Sequence, residues 1–276
     1  MTKTAVLLGG DRRQSCLARQ LQACGFAVRT CGVPGCPDTA PTLPACVRGA
    51  ELLILPMPAL RAPDRIRAAP DDLPLGPALD AAAPDALVCG GLLDAAVPAL
   101  QAHSLRWFDY ARDETLALEN AELTAEAALP PLLARLPCPL RGSRILILGF
   151  GRIGKRLAWK LHTLGAAVTV AARRPEALAL GLQAEPLGPQ LQGLAVYDAV
   201  VNTVPAPVIC DVQLSAIRPD AALLELASLP GGFCPAAAER VGYLAARGLP
   251  GVYAPEAAAA VIRRAIFREL DLEECP

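Results

Sequence analysis

The chain has 276 residues and a formal net charge of −1. That balance excludes an electrostatic nucleic-acid binder and a membrane-surface protein, while the length allows one large or two medium domains with ample core. No apolar run is long enough to span a bilayer. Thr2-Lys3-Thr4 enters a short apolar strand without a signal-peptide core, so the expectation is a soluble cytoplasmic protein. The ten cysteines include no CxxC pair, and the two histidines, His103 and His162, are far apart. Reduced packing cysteines and no metal site are expected.

In chain order, Thr4 to Leu8 reads as a strand, Gly9-Gly10-Asp11 as a turn, and Arg12 to Cys24 as a helix stopped by Gly25. Phe26 to Thr30, Glu51 to Pro56, Asp85 to Cys89 and Ser104 to Tyr110 supply further strands. Pro56 to Pro84, rich in Pro, Ala and Asp, predicts irregular loop with short helical pieces. Asp113 to Leu136 is helical by composition, with Pro130-Pro131 starting, kinking or breaking a helix. Asn120 and Thr124 share one of its faces, and Glu126 is turned partly aside.

The chain is organised around Arg144-Ile-Leu-Ile-Leu-Gly-Phe-Gly-Arg-Ile-Gly-Lys155. An apolar strand, Ile145 to Leu148, runs into Gly149-x-Gly151-x-x-Gly154 and a helical pattern ending at Gly165. The second strand, Ala167 to Ala171, follows at βαβ spacing. Gly149 permits the tight turn, Gly151 admits a pyrophosphate, and Gly154 lets helix and strand pack closely. The backbone N–H groups of Arg152 and Ile153, at the positive end of the helix dipole, would face the phosphates. The second strand runs on to Arg173-Arg174, with no acid before Glu176. Two arginines there suit a 2′-phosphate, which favours NADP over NAD; the alternative is a solvated basic turn.

Strands follow at Ala199–Asn202 and Ala222–Leu226, with a last short one near Val252. The terminal helix, Glu256 to Leu270, would place Ala257, Val261, Ala265 and Leu272 in one apolar stripe. This pattern predicts an α/β protein with two doubly wound Rossmann-like domains, parallel sheets, and connector helices around a central cleft. The expected domains are residues 1–118, for substrate and partner, and 119–255, for dinucleotide. The helix 256–276 should pack back on the first.

Neither histidine stands at a strand's carboxyl end in the second domain, which argues against hydroxy-acid dehydrogenase chemistry. The better candidates lie in four loops after the strands: Gly10, Asp11, Arg13 and Gln14; Asn202, Thr203 and Pro205; Ala227 and Ser228; and Gly248-Leu249-Pro250-Gly251. Turn chemistry by Gly, Pro and Asn suffices for any one of these loops, but less readily for several at one edge.

Together, Gly9-Gly10-Asp11-Arg12-Arg13-Gln14, Asn120-x-x-x-Thr124-x-Glu126, Gly149-Phe-Gly-Arg-Ile-Gly154, Asn202-Thr-Val-Pro205, Leu226-Ala-Ser-Leu-Pro-Gly-Gly232 and Leu249-Pro-Gly-x-x-Ala-Pro255 resemble the family of dipicolinate synthase A subunits. Ala127, Glu225 and Ala257 depart from its usual Gly, Asp and Thr. The resemblance implies oxidation of dihydrodipicolinate to pyridine-2,6-dicarboxylate with NADP, in the mother cell of a sporulating bacterium. It also implies a homo-oligomer, and a partner in the form of a flavoprotein-like B subunit. Under it Arg13 clamps a substrate carboxylate, the alternative being an ordinary surface ion pair with Asp11; Glu126 is the base, and the Ser228 loop borders the nicotinamide. Gly10, Asp11, Gln14, Asn120, Thr124 and Ser228 complete the substrate set. Gly149, Gly151, Arg152, Ile153, Gly154, Arg173, Arg174, Asn202, Thr203, Pro205, Ala227 and Ser228 form the cofactor set. Two other readings are another NAD(P)-linked dehydrogenase of a small carboxylic acid and a non-catalytic dinucleotide-binding subunit. Lysine occurs only at 3, 155 and 160, which leaves little room for a catalytic Lys–Asp pair.

Overall fold

A computed structural model describes residues 3–173, 182–188 and 191–273. Arg174 and Cys275 lie outside them. The chain forms two compact units: residues 1–120 with 250–276, and residues 121–249.

The first unit begins with β1 (Thr4–Leu8), α1 (Arg12–Ala23), β2 (Ala27–Cys31), α2 (Leu43–Val47) and β3 (Leu52–Ile54). A small antiparallel sheet follows, formed by β4 (Leu60–Ala62), β5 (Arg65–Ile66) and β6 (Leu73–Pro74). Then come α3 (Leu75–Asp80), β7 (Leu87–Gly90), α4 (Val97–Ala102) and β8 (Arg106–Asp109). The main sheet is wholly parallel, in the order β2-β1-β3-β7-β8. Counting its own strands, that is the flavodoxin-like order 2-1-3-4-5, whose switch point lies between the first and third strands. Its central strands β1, β3 and β7 are apolar on both faces, as in a parallel sheet covered on both sides, while the edge strands β2 and β8 carry Arg29, Arg106 and Asp109. Val6, Leu8, Leu53 and Val88 are buried against Leu75, Leu79 and Leu100. The small sheet occupies part of the stretch expected to be irregular. Strands of two or three residues are too short to display an alternating pattern.

The connector is split into α5 (Glu114–Ala127) and α6 (Leu129–Leu133), with proline in the first turn of α6, where its missing N–H costs nothing. The second unit contains β9 (Arg144–Leu148), α7 (Arg152–Thr163), β10 (Ala167–Ala172), β11 (Gln183–Pro186), β12 (Ala199–Asn202), α8 (Asp211–Ala216), β13 (Ala222–Glu225) and β14 (Tyr243–Ala245). Its six strands are parallel in the order β11-β10-β9-β12-β13-β14, the Rossmann order 3-2-1-4-5-6. Leu157, Ala158 and Leu161 of α7 are buried with Ile145, Ile147, Val168 and Val170.

The last two helices are α9 (Leu249–Tyr253) and α10 (Pro255–Glu269). Val252, expected in a strand, is helical, because Leu249-Pro250 starts a helix; the final strand is Tyr243–Ala245 instead. Helix α10 packs along α1, and Gln20 Nε2 donates to the Glu256 carbonyl at 3.0 Å. Its buried face is wider than the expected stripe, since it includes Ala258, Ile262, Ile266 and Phe267 and leaves Ala257 exposed. No described helix is long and apolar enough to cross a membrane.

Candidate functional site

The glycine-rich turn after β9 is built by three different uses of glycine. Gly149 has φ +95°, and a Cβ there would lie 2.6 Å from Thr203 Oγ1. At Gly154 a Cβ would lie 2.3 Å from the Gly149 carbonyl oxygen, so α7 can approach its own turn only as glycine. Gly151 differs: nothing lies within 4 Å of its added Cβ. It is the N-cap of α7 and no side chain caps it. The positive end of α7 therefore begins at a glycine whose side-chain position is open. Thr203 locks the neighbouring strand to the turn through its N and Oγ1, which donate to the Leu148 carbonyl at 2.9 and 2.8 Å. Arg173 follows β10 directly and is exposed.

Beside this turn is a buried polar network that the sequence reading did not assemble. Asn202 and Glu225 end β12 and β13 and face one another in register. Both are essentially inaccessible to solvent. Glu225 Oε1 accepts from Asn202 Nδ2 at 2.7 Å and from Ala227 N at 3.0 Å; Oε2 accepts from Gly232 N at 2.7 Å and Phe233 N at 3.3 Å. Asn202 also closes on Val204, donating to its carbonyl at 2.8 Å and accepting its N–H at 3.1 Å. A Cβ on Gly232 would collide with the Asn202 amide at 2.4 Å. One carboxylate thus fixes the loop after β12 and the Ala227–Phe233 loop after β13. Ser228 and Pro205 project from these loops as exposed residues, while Ala227 is buried. A charged residue closing the apolar run Ala222-Leu-Leu-Glu225 was the one signal in the sequence.

The first unit carries a second charged centre at its switch point. Asp11 caps α1 by accepting from Arg13 N at 3.0 Å. The Arg13 guanidinium grips the same carboxylate, Nε to Oδ1 at 2.9 Å and Nη2 to Oδ2 at 2.7 Å. Nη2 also donates to the Met57 carbonyl at 2.7 Å. Burial would raise the Asp11 carboxyl, yet the hydrogen bonds and charge of Arg13 outweigh it and hold the acid below its usual range. Burial would likewise lower Arg13, and its bonds to Asp11 hold it above its ordinary value. Gly251 lies so close that a Cβ would stand 3.1 Å from both Arg13 Nε and Asp11 Oδ2. The fork expected to clamp a carboxylate bidentately is therefore taken up by Asp11, leaving only Nη1. Gln14 is buried, with Nε2 donating to the Ile54 carbonyl at 3.4 Å, and it fills the space a Cβ on Gly10 would need. Arg67, not singled out from the sequence, reaches Asp11 Oδ2 only at 3.9 Å.

On α5, Thr124 is buried and Asn120 half-buried, one turn apart. Glu126 is exposed and pairs with Lys160 Nζ at 3.0 Å, beside Glu122, which pairs with Lys160 and Arg156. Lys160 lies eight residues beyond Arg152, roughly 12 Å along α7 from the glycine turn. The structure brings Glu126 to that ion-pair network and not to the turn. His103 caps α4, with ring nitrogens against the Ala99 carbonyl at 2.7 Å and Asp80 at 3.0 Å; His162 is exposed on α7. Among the described residues no cluster of ligands could hold a metal ion.

Residues 4–111 match the family model for the N-terminal domain of the dipicolinate synthase A subunit. This chain is similar to that protein. The Bacillus subtilis (strain 168) dipicolinate synthase A subunit is 31% identical over 174 residues, 60% of this chain and 58% of the relative. The match thus spans a little over half the length of that curated relative. A crystal structure of the dipicolinate synthase A subunit from Bacillus halodurans superposes with a TM-score of 0.85 at 22% identity, covering 98% of each chain. A 2-hydroxyacid dehydrogenase from Ketogulonicigenium vulgare Y25 gives a TM-score of 0.57 at 15% identity, over 100% of this chain and 98% of that one. At those identities the structures establish the fold, which is dehydrogenase-like.

Proposed function

We propose that this chain is the A subunit of a dipicolinate synthase, oxidising dihydrodipicolinate to pyridine-2,6-dicarboxylate with NADP and acting with a flavoprotein-like B subunit. The observation that carries the reading is the turn after β9. Gly149 and Gly154 are glycine because neighbours crowd them, whereas Gly151 is glycine beside open space at an uncapped helix end. Folding alone does not require glycine at Gly151; a pyrophosphate approaching the backbone does. The Arg152 and Ile153 amides would hold that pyrophosphate, and exposed Arg173, with Arg174 next in sequence, would meet the 2′-phosphate. The family match, which covers the first unit, supports the substrate half of the reading.

A bound nicotinamide would supply the hydride acceptor. The chain's own residues bind and orient. Arg13, at the β1/β3 switch point, presents Nη1 beside a neutralising Asp11 and supplies one contact to a substrate carboxylate. The Asn202–Glu225 network holds Thr203, Ala227 and Ser228 at the edge of the turn. Forming an aromatic ring lowers the demand for a strong base, which fits an edge whose acid, Glu225, is buried and fully bonded. The same observation favours a second reading, a dinucleotide-binding subunit whose chemistry is completed by its partner.

The test is a titration of NADPH and NADH by fluorescence, followed by an ultraviolet assay of dipicolinate formation with and without the B subunit. NADPH binding with turnover supports the first reading. NADPH binding with turnover only when the B subunit is present supports the second, and no dinucleotide binding overturns both.

A further inference from the structure

The Glu225 carboxylate has an electrostatic consequence that its structural role does not require. It is inaccessible to solvent and ends β13, the second strand from β9 on the side away from β10. All four of its described partners are neutral N–H donors: three backbone amides and the Asn202 side chain. Among the described residues no cation lies within ion-pair distance of it. Beside it stands the guanidinium of Arg247, which is exposed and donates Nε to the Ala227 carbonyl at 2.9 Å. A Cβ on Gly231 would fall between the two groups, 2.8 Å from Glu225 Oε2 and 2.9 Å from Arg247 Nη2. Four donors converging on two oxygens suit a carboxylate, which only accepts, and not a carboxylic acid, which must donate. Glu225 is thus a full negative charge held by dipoles, in a region where charge is weakly screened.

A dinucleotide seated on the α7 N-terminus extends along the strand ends. With its adenosine ribose toward β10 and Arg173, its other half would lie toward β12 and β13. The two redox forms of a nicotinamide differ by one positive charge on the ring. A fixed buried anion on that side acts differently on them.

We propose that Glu225 biases the site toward the oxidised dinucleotide, with Arg247 opposing it, so that NADP is held more tightly relative to NADPH than it would be without the buried charge. The proposal rests on the dinucleotide reading above. A merely structural Glu225 would move both affinities together, whereas a charge effect changes their ratio.

The experiment measures Kd for NADP and NADPH separately, by calorimetry, on the full chain. Variants are Glu225→Gln, Glu225→Asp and Arg247→Met. At an effective dielectric near 20, a unit charge would have to stand within roughly 10 Å of the ring to give a change on the order of ten-fold, which is the size the experiment must resolve. Glu225→Gln should weaken NADP relative to NADPH by about that factor, and Glu225→Asp should keep the wild-type ratio. Arg247→Met removes the charge together with the Nε bond to the Ala227 carbonyl, so its melting temperature is compared with that of the wild type; it should shift the ratio the opposite way, toward NADP. If Glu225→Gln does not fold, Arg247→Met alone decides, and an unchanged ratio there overturns the proposal. An unchanged ratio in Glu225→Gln with both affinities reduced also overturns it, leaving a structural role. Failure of the wild type to bind either form would refute the dinucleotide reading, which is a distinguishable result.

Discussion

Removing the negative charge from Asp11 should destabilise the first unit more than removing its partner does. The Asp11→Asn variant keeps a side-chain oxygen that can cap α1 and accept from the Arg13 amide, so the change isolates the charge. What remains is a guanidinium whose side chain is 7% exposed, against 27% for Asp11. A buried charge stripped of its partner costs about 3–5 kcal/mol. Arg13→Met instead leaves the more solvated carboxylate and should cost about 1–3 kcal/mol. The double variant should cost little more than Arg13→Met alone, giving a coupling energy above about 1 kcal/mol. Trp107 lies in the first unit and Trp159, exposed, in the second, so a Trp159→Phe background makes fluorescence report on the first unit alone. In that background Asp11→Asn should lower the melting temperature by roughly 6–20 °C. The pH dependence has a definite sign. Asp11 is held below its ordinary value of 3.8, so its contribution is present above that value and is lost as pH falls through the lower folded-state one. The gap between wild type and Asp11→Asn should therefore close in strong acid. Costs that add within about 0.5 kcal/mol, or equal losses for the two single variants, would refute the buried-pair account.

Four further outcomes follow from the second unit. Gly154→Ala forces a Cβ to 2.3 Å from a backbone carbonyl and should destabilise by about 1–3 kcal/mol, seen as a lower urea midpoint. Gly151→Ala meets nothing within 4 Å and should keep that midpoint while weakening NADPH binding at least ten-fold in a fluorescence titration. Arg173→Asp should leave stability within about 0.5 kcal/mol and reverse the preference from NADPH to NADH, because an acid repels a 2′-phosphate and accepts from a 2′-hydroxyl. Glu126→Gln should change stability by less than about 1 kcal/mol and leave turnover intact, since the residue serves an exposed pair with Lys160; a hundred-fold fall in kcat would restore it as the base.

The β9–α7–β10 unit could be read directly from the amino-acid order because its determinants are local. An unbroken apolar run can only be a buried strand or helix, glycines at fixed spacing set the turn, and one helix of ordinary length returns the chain to a parallel neighbour. The split of the connector at Pro130-Pro131 was equally local. The small sheet between 60 and 74 was not, since strands of two or three residues exist only through their pairing. Nor were the charged centres. Asn202 and Glu225 are 23 residues apart, and the parallel register of β12 and β13 makes them partners. The closeness of Asp11 and Arg13 is written in the sequence as two positions in one turn. Whether that pair is a solvated contact or a buried one depends on Met57, 44 residues from Arg13, and on Gly251 near the other end of the chain. Local order determines which groups can meet, and tertiary packing determines how much water remains around them. Water sets the strength of a charge, so the character of both centres was decided only by the fold.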